Sequence, residues 1–209
     1  GELRRLPHCL ARVEAVRAVR LASKSPGTRK IAETPTRFHV ENIPQNKYIL
    51  IPEVSSEQRI YIPIGFIEPA VLSSNLVRIL PDATLYHFSI LTSSAHNAWM
   101  RAVAGRLKSD YRYSASIVYN TFIWPETDEP QRAAIAAAGQ RILEVRAAYP
   151  GATLADLYSP LAMPADLLNA HHALDRLVLK AYGLPSDTPE RTLVARLFEL
   201  YAALGKKLK

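Results

Sequence analysis

A single cysteine, Cys9, stands among 209 residues, leaving no partner for an intramolecular disulfide and too few thiolates for a structural zinc site. The thiol reads either as buried and inert, the commoner fate of a free cysteine, or as reactive. A reducing cytoplasm is the expected compartment. No apolar run approaches the roughly 20 residues that a bilayer crossing needs. The opening residues, Gly1-Glu2-Leu3-Arg4-Arg5, lack the basic-then-apolar layout of a signal peptide. A soluble chain without a membrane partner is therefore expected. Gly-rich phosphate loops, paired-histidine metal motifs and nucleophile elbows are also missing, so the sequence nominates no catalytic, metal-ligating or cofactor-binding residue. The adjacent His171 and His172 point about 100° apart on a helix and cannot share one ligand sphere. They read as surface or packing residues, as do the isolated His87 and His96.

What is present is globular: 48% hydrophobic and 22% charged residues, without low-complexity tracts. The net charge is +7, and it is uneven. Residues 1–40 carry nine Lys or Arg against three acids, residues 41–125 seven against six, and residues 126–209 ten against ten. A basic lobe joined to a neutral remainder suits a polyanion, because neutralising phosphates releases counterions. A merely soluble basic surface fits the charge equally well.

Helical spacing of Leu10, Val13, Val16 and Val19 predicts an amphipathic helix over 10–21. Ser25-Pro26-Gly27-Thr28 and Thr34-Pro35 predict an exposed loop over 24–37. Its Lys24, Arg29, Lys30 and Arg37 form a candidate phosphate clamp. Runs rich in β-branched and aromatic residues predict strands over 48–51 and 60–66, with Pro52 and Pro63 marking edges or bulges. Further strands are expected near 76–80 and 84–88. Leu91, Ala95, Ala98, Trp99, Ala102 and Val103 then predict one helix over 89–107, with Gly105 as its stop. After Trp124-Pro125 the pattern becomes helical over 128–149, 164–182 and 189–208. Thr153 and Asp156 form a capping box between the first two of these helices. The whole reads as α+β: a mixed domain of short strands and a central helix over 1–125, then a small all-helical subdomain over 126–209.

In 106–124 basic, acidic and aromatic side chains alternate, as in Lys108, Asp110, Tyr111, Arg112 and Tyr113. Lys or Arg can donate to guanine, Asp can accept from the cytosine amino group, and tyrosine can stack or hold a phosphate. Arg106, Tyr111 and Tyr113 are the candidate phosphate contacts here. A solvated charged turn is the competing reading.

Longer strings point further. Ile51-Pro52-Glu53-Val54-Ser55-Ser56-Glu57-Gln58-Arg59-Ile60-Tyr61-Ile62-Pro63, Gly105-Arg106-Leu107-Lys108-Ser109-Asp110-Tyr111-Arg112-Tyr113-Ser114 and Val118-Tyr119-Asn120-Thr121-Phe122-Ile123-Trp124-Pro125 resemble the carboxy-terminal part of MmeI-like restriction-modification enzymes and related adenine-specific DNA methyltransferases. Ala152-Thr153-Leu154-Ala155-Asp156-Leu157-Tyr158 extends the resemblance into the helical tail, so that it spans nearly the whole chain.

The resemblance implies a target-recognition region that docks on double-stranded DNA. A methyltransferase domain of the same parent chain would use S-adenosylmethionine to methylate an adenine amino group. That domain's Gly-containing cofactor motif and its Asn-Pro-Pro-Tyr motif have no counterpart here, so no activity is expected of this chain alone. The implied base-selecting positions are Glu53 with Asn75, Leu76 with Arg112, and Lys108 with Asp110. The last pair suits one G·C pair, Lys to guanine and Asp to cytosine. Glu53 also fits a strand-end carboxylate bonded to backbone or to Arg59. Ser89 and Ala95 depart from a usual glycine and a common methionine, which bears on local packing. A helical protein-interaction domain with an incidental basic surface is the competing function.

Overall fold

The computed structural model describes residues 2–39, 41 and 43–207, so the expected helix end at residue 208 lies outside them. The chain forms two compact units, Gly1–Ile43 and Pro44–Lys209.

The first unit runs through a 3₁₀ turn (Glu2–Arg5), α1 (Pro7–Leu21), α2 (Pro26–Lys30) and a second 3₁₀ turn (Ile31–Glu33). Pro7 opens α1, where its missing N–H goes unneeded. The segment expected as an open loop contains α2, because Ser25-Pro26 acts as a helix start. The Ser25 hydroxyl accepts from the Thr28 N–H at 3.4 Å. No residue of α1 is buried, and Val16 and Val19 of its apolar stripe are exposed.

The second unit holds β1 (Tyr48–Pro52), β2 (Val54–Ser55), β3 (Gly65–Ile67), β4 (Val77–Leu80), α3 (Leu85–Thr92), α4 (Ser94–Val103), β5 (Gly105–Leu107) and β6 (Asp110–Arg112). A π-helical turn (Ala115–Tyr119), α5 (Glu129–Ala147), α6 (Leu154–Leu157), α7 (Ala165–Ala181) and α8 (Glu190–Lys207) follow. Two three-stranded antiparallel sheets form, ordered β3-β1-β4 and β2-β6-β5. With the helices they make an α+β fold. No helix among the described residues is long and apolar enough to cross a membrane.

Three local expectations change. Residues 84–88 begin α3 instead of a strand, since Thr84 and His87 close a capping box and the helix is buried nearly all round. The single helix expected over 89–107 is two helices and a strand. Ser93 is extended, with φ −71° and ψ 162°, and serves both as the C-cap of α3 and the N-cap of α4. One distant and one local side chain satisfy the break: Asp175 accepts from the Ser94 N–H at 2.7 Å, and Asn97 donates to the Ser93 carbonyl at 2.8 Å. Asn97 Oδ1 also accepts from the Ile62 N–H at 2.8 Å, which takes residues 60–62 out of sheet pairing and leaves only Gly65–Ile67 as β3.

The helical tail shares the core of the strands and central helices. Helix α5 packs between α3 and α7, and α8 packs on α4. Phe88, Ile90, Leu91, Trp99, Ile135, Ile142, Leu167, Leu174 and Val178 are buried together. The α3–α5 approach depends on Gly139, where a Cβ would overlap the Ser89 hydroxyl and lie 3.1 Å from Ser89 Cβ. Ser89 therefore fits because the facing helix has a glycine; its hydroxyl donates back to the Leu85 carbonyl at 2.7 Å.

Candidate nucleic-acid interface

Glu53 joins the two sheets. The β1–β4 register pairs Pro52 with Val77, and one step further the Glu53 N–H donates to the Leu76 carbonyl at 3.0 Å. The β2–β6 register pairs Val54 with Arg112, and one step back the Tyr113 N–H donates to the Glu53 carbonyl at 2.7 Å. One residue thus belongs to both ladders, setting the Asn75-Leu76 segment and Arg112 on either side of it. Asn75 and Arg112 are exposed, as is Leu76 at 63% of its surface.

Beyond the joint, β5 and β6 form a hairpin whose two-residue loop is Lys108-Ser109. Lys108 takes φ +56°, an unusual conformation for a residue with a Cβ, and the turn presents its side chain to solvent. Asp110 begins β6 opposite Leu107. Side chains alternate across a strand, so Asp110 and Arg112 share one face of β6 and Tyr111 and Tyr113 the other. Burial agrees: Arg112 is exposed and Asp110 half-buried, whereas both tyrosines are buried.

The candidate phosphate contacts separate on this geometry. Tyr113 is 3% exposed, and its hydroxyl lies 3.1 Å from His96 Nε2 inside the core, so it is not presented to a phosphate. A carbonyl can only accept, so the 2.8 Å contact from His96 Nδ1 to the Leu91 carbonyl places the ring proton on Nδ1. Nε2 is left to accept from Tyr113. Burial lowers the His96 pKa to about 4. Tyr111 is buried under the Arg106 guanidinium, which lies 3.9 Å from its ring centre. Arg106 also donates to the Ser109 carbonyl at 2.6 Å and pairs with Glu57 at 3.3 Å. It braces the Lys108-Ser109 turn.

In the first unit, Arg29 donates to the carbonyls of Ser23 and Lys24, both at 2.9 Å, and Arg37 is paired with Glu41. Arg20, which the sequence did not nominate, donates to the carbonyls of Ile31, Thr34 and Arg37 and so ties 31–37 to α1. Lys24 and Lys30 are exposed.

His171, Arg146 and Asp175 are buried polar groups of the helical tail. His171 is buried, not on the surface, with Nε2 2.7 Å from the Tyr158 hydroxyl, which also accepts from Arg146 at 2.9 Å. Burial, helped by the Arg146 charge, lowers its pKa to about 3. Asp175 accepts from the Tyr61 hydroxyl at 2.6 Å, and burial raises its pKa. Cys9 is exposed, against the commoner expectation. Glu53 is paired with Arg78, not with Arg59. Arg78 is the residue at this site that sequence reasoning missed.

Residues 1–126 match the family described as MmeI, target recognition domain, and residues 127–209 match MmeI, C-terminal domain. The chain belongs to the MmeI family. Within that family it is similar to DNA methyltransferase A of Bacillus subtilis (strain 168), 40% identical over 185 residues that make up 88% of this chain and 21% of that protein. It is also similar to a solved type IIL restriction-modification enzyme, MmeI in complex with DNA. That match has a TM-score of 0.94 and 46% identity, and covers 98% of this chain and 27% of the other. This MmeI-family chain therefore spans about a fifth to a quarter of the relatives it matches.

Proposed function

We propose that this chain is a sequence-specific, double-stranded DNA recognition module of an adenine-N6 methyltransferase, with linked restriction activity in some relatives. Its base readers are Glu53 with Asn75, Leu76 with Arg112, and Lys108 with Asp110. The observation that carries this reading is the double ladder through Glu53, which gathers residues distant in sequence onto one sheet junction. Successive outward positions of β6, Asp110 and Arg112, are roughly 7 Å apart, close to two base steps of about 3.4 Å. Lys24 and Lys30 are the best placed phosphate contacts, since Arg29 and Arg37 are engaged locally. Family membership and the likeness to an MmeI structure in complex with DNA support the same reading.

S-adenosylmethionine does not fit these residues. Both described sheets are short and antiparallel, without the carboxyl-end crevice of a parallel sheet in which such cofactors lie. The cofactor and the methyl transfer are assigned to a methyltransferase domain in the remainder of the parent protein. That domain is the proposed intramolecular partner, and the cytoplasm the proposed setting.

Selection of a randomised duplex pool by the chain, with affinity followed by fluorescence anisotropy at two salt concentrations, tests the reading. Wild type enriches a short motif, Lys108→Ala/Asp110→Ala relaxes it at one base pair, and Lys24→Ala/Lys30→Ala weakens all sequences alike with a shallower salt slope. An absence of binding at low salt refutes it in favour of a protein-interaction module.

A further inference from the structure

The Glu53 carboxylate carries an ion pair. Its Oε1 is paired with Arg78 Nη2 across the β1–β4 ladder. Because Glu53 stands opposite Leu76 and Ile51 opposite Arg78, Glu53 and Arg78 are diagonal neighbours on one face of the sheet. The Glu53 side chain is only 10% exposed, whereas that of Arg78 is 49% exposed. An ion pair this open contributes little to stability by itself. It acts instead on placement: the arginine charge draws one carboxylate oxygen to its side and leaves the other as an acceptor. No hydrogen bond among the described residues engages Oε2.

We propose that Arg78 is a positioning residue for base choice, holding Oε1 of Glu53 so that Oε2 meets the amino group of the base that Glu53 reads. The proposal rests on the reading of Glu53 as a base reader. Arg78 lies two residues beyond Leu76, in the strand that follows it, so the segment that supplies Asn75 and Leu76 also supplies the brace for Glu53. A phosphate contact is the alternative role for a half-exposed arginine here, and it has a different signature.

The test compares the full chain with Glu53→Gln and Arg78→Leu in the duplex-pool selection, again at two salt concentrations. Arg78→Leu is expected to lose roughly tenfold discrimination at the same base pair that Glu53→Gln relaxes, with the other positions and the salt slope unchanged. Arg78→Gln serves the same comparison should the leucine variant melt early. A uniform loss across sequences, with the slope shallower by about 1, makes Arg78 a phosphate contact and overturns the proposal. Relaxation by Glu53→Gln but not by Arg78→Leu overturns the positioning role alone. No effect of Glu53→Gln removes the reading of Glu53, and the proposal with it.

Discussion

Replacing Tyr113 by phenylalanine separates a core role from a DNA contact. The hydroxyl meets His96 Nε2 at 3.1 Å, and the opposite ring nitrogen is committed to the Leu91 carbonyl at 2.8 Å, so His96 cannot turn to find a new partner without losing the old one. His96 is fully buried, and Tyr113→Phe therefore strands an acceptor away from water. Leaving such a group unpaired costs about 1–3 kcal/mol. At about 2–4 °C per kcal/mol for a chain of this size, Tm is expected to fall by roughly 2–12 °C. Calorimetry at pH 7.5 measures that fall, and anisotropy on duplex DNA at two salt concentrations measures the other half of the argument, which expects an unchanged salt slope. An unchanged Tm, with a slope shallower by about 1, would place the phenol on a phosphate and refute the core assignment.

Two further outcomes follow from the core. His96 and His171 have folded pKa values of about 4 and 3, below the ordinary 6.5, so the unfolded chain takes up protons first on acidification. The buried neutral rings contribute on the order of 3 kcal/mol at His96 and 5 kcal/mol at His171, complete above pH 6.5 and lost as the pH falls toward 4 and 3 respectively; a flat Tm between pH 7 and 4.5 contradicts this. Gly139→Ala gains up to about 1 kcal/mol of helix propensity but overpacks against Ser89 at about 1–3 kcal/mol, a net loss that Ser89→Gly should recover when urea midpoints of the single and double variants are compared. Independent, additive effects of the two substitutions would show that the helices do not meet there.

The long helices were legible because their apolar residues recur at helical spacing, and α5 announces its own start with Asp128, Pro130 and Gln131. Residues 84–88 misled for the opposite reason: α3 is buried on nearly every side, so its apolar, aromatic run has no helical period to read. The break at Ser93 depends on Asp175, eighty-one positions from the Ser94 N–H that it binds, which no local pattern reports. At the candidate site, the mixture of charges in 106–113 singled out Lys108, Asp110 and Arg112, whereas Glu53, Asn75 and Leu76 came from the resemblance alone. The basic and aromatic mixture in 106–113 suggested phosphate contacts for Tyr111 and Tyr113, whereas the two-residue alternation of β6 turns both inward. Arg78 escaped notice because its link to Glu53 is a cross-strand diagonal between segments 25 positions apart, visible only once the register is known.

The alternation in β6 also limits how such a protein can change. On the proposed reading, fold and recognition are interleaved residue by residue, so inserting or deleting one position between Leu107 and Tyr113 would send the tyrosines outward and Asp110 and Arg112 into the core. Exchange of the outward residues leaves the inward row untouched. Divergence of target preference along this strand is therefore expected to accumulate as substitutions at every second position, with hairpin length held constant.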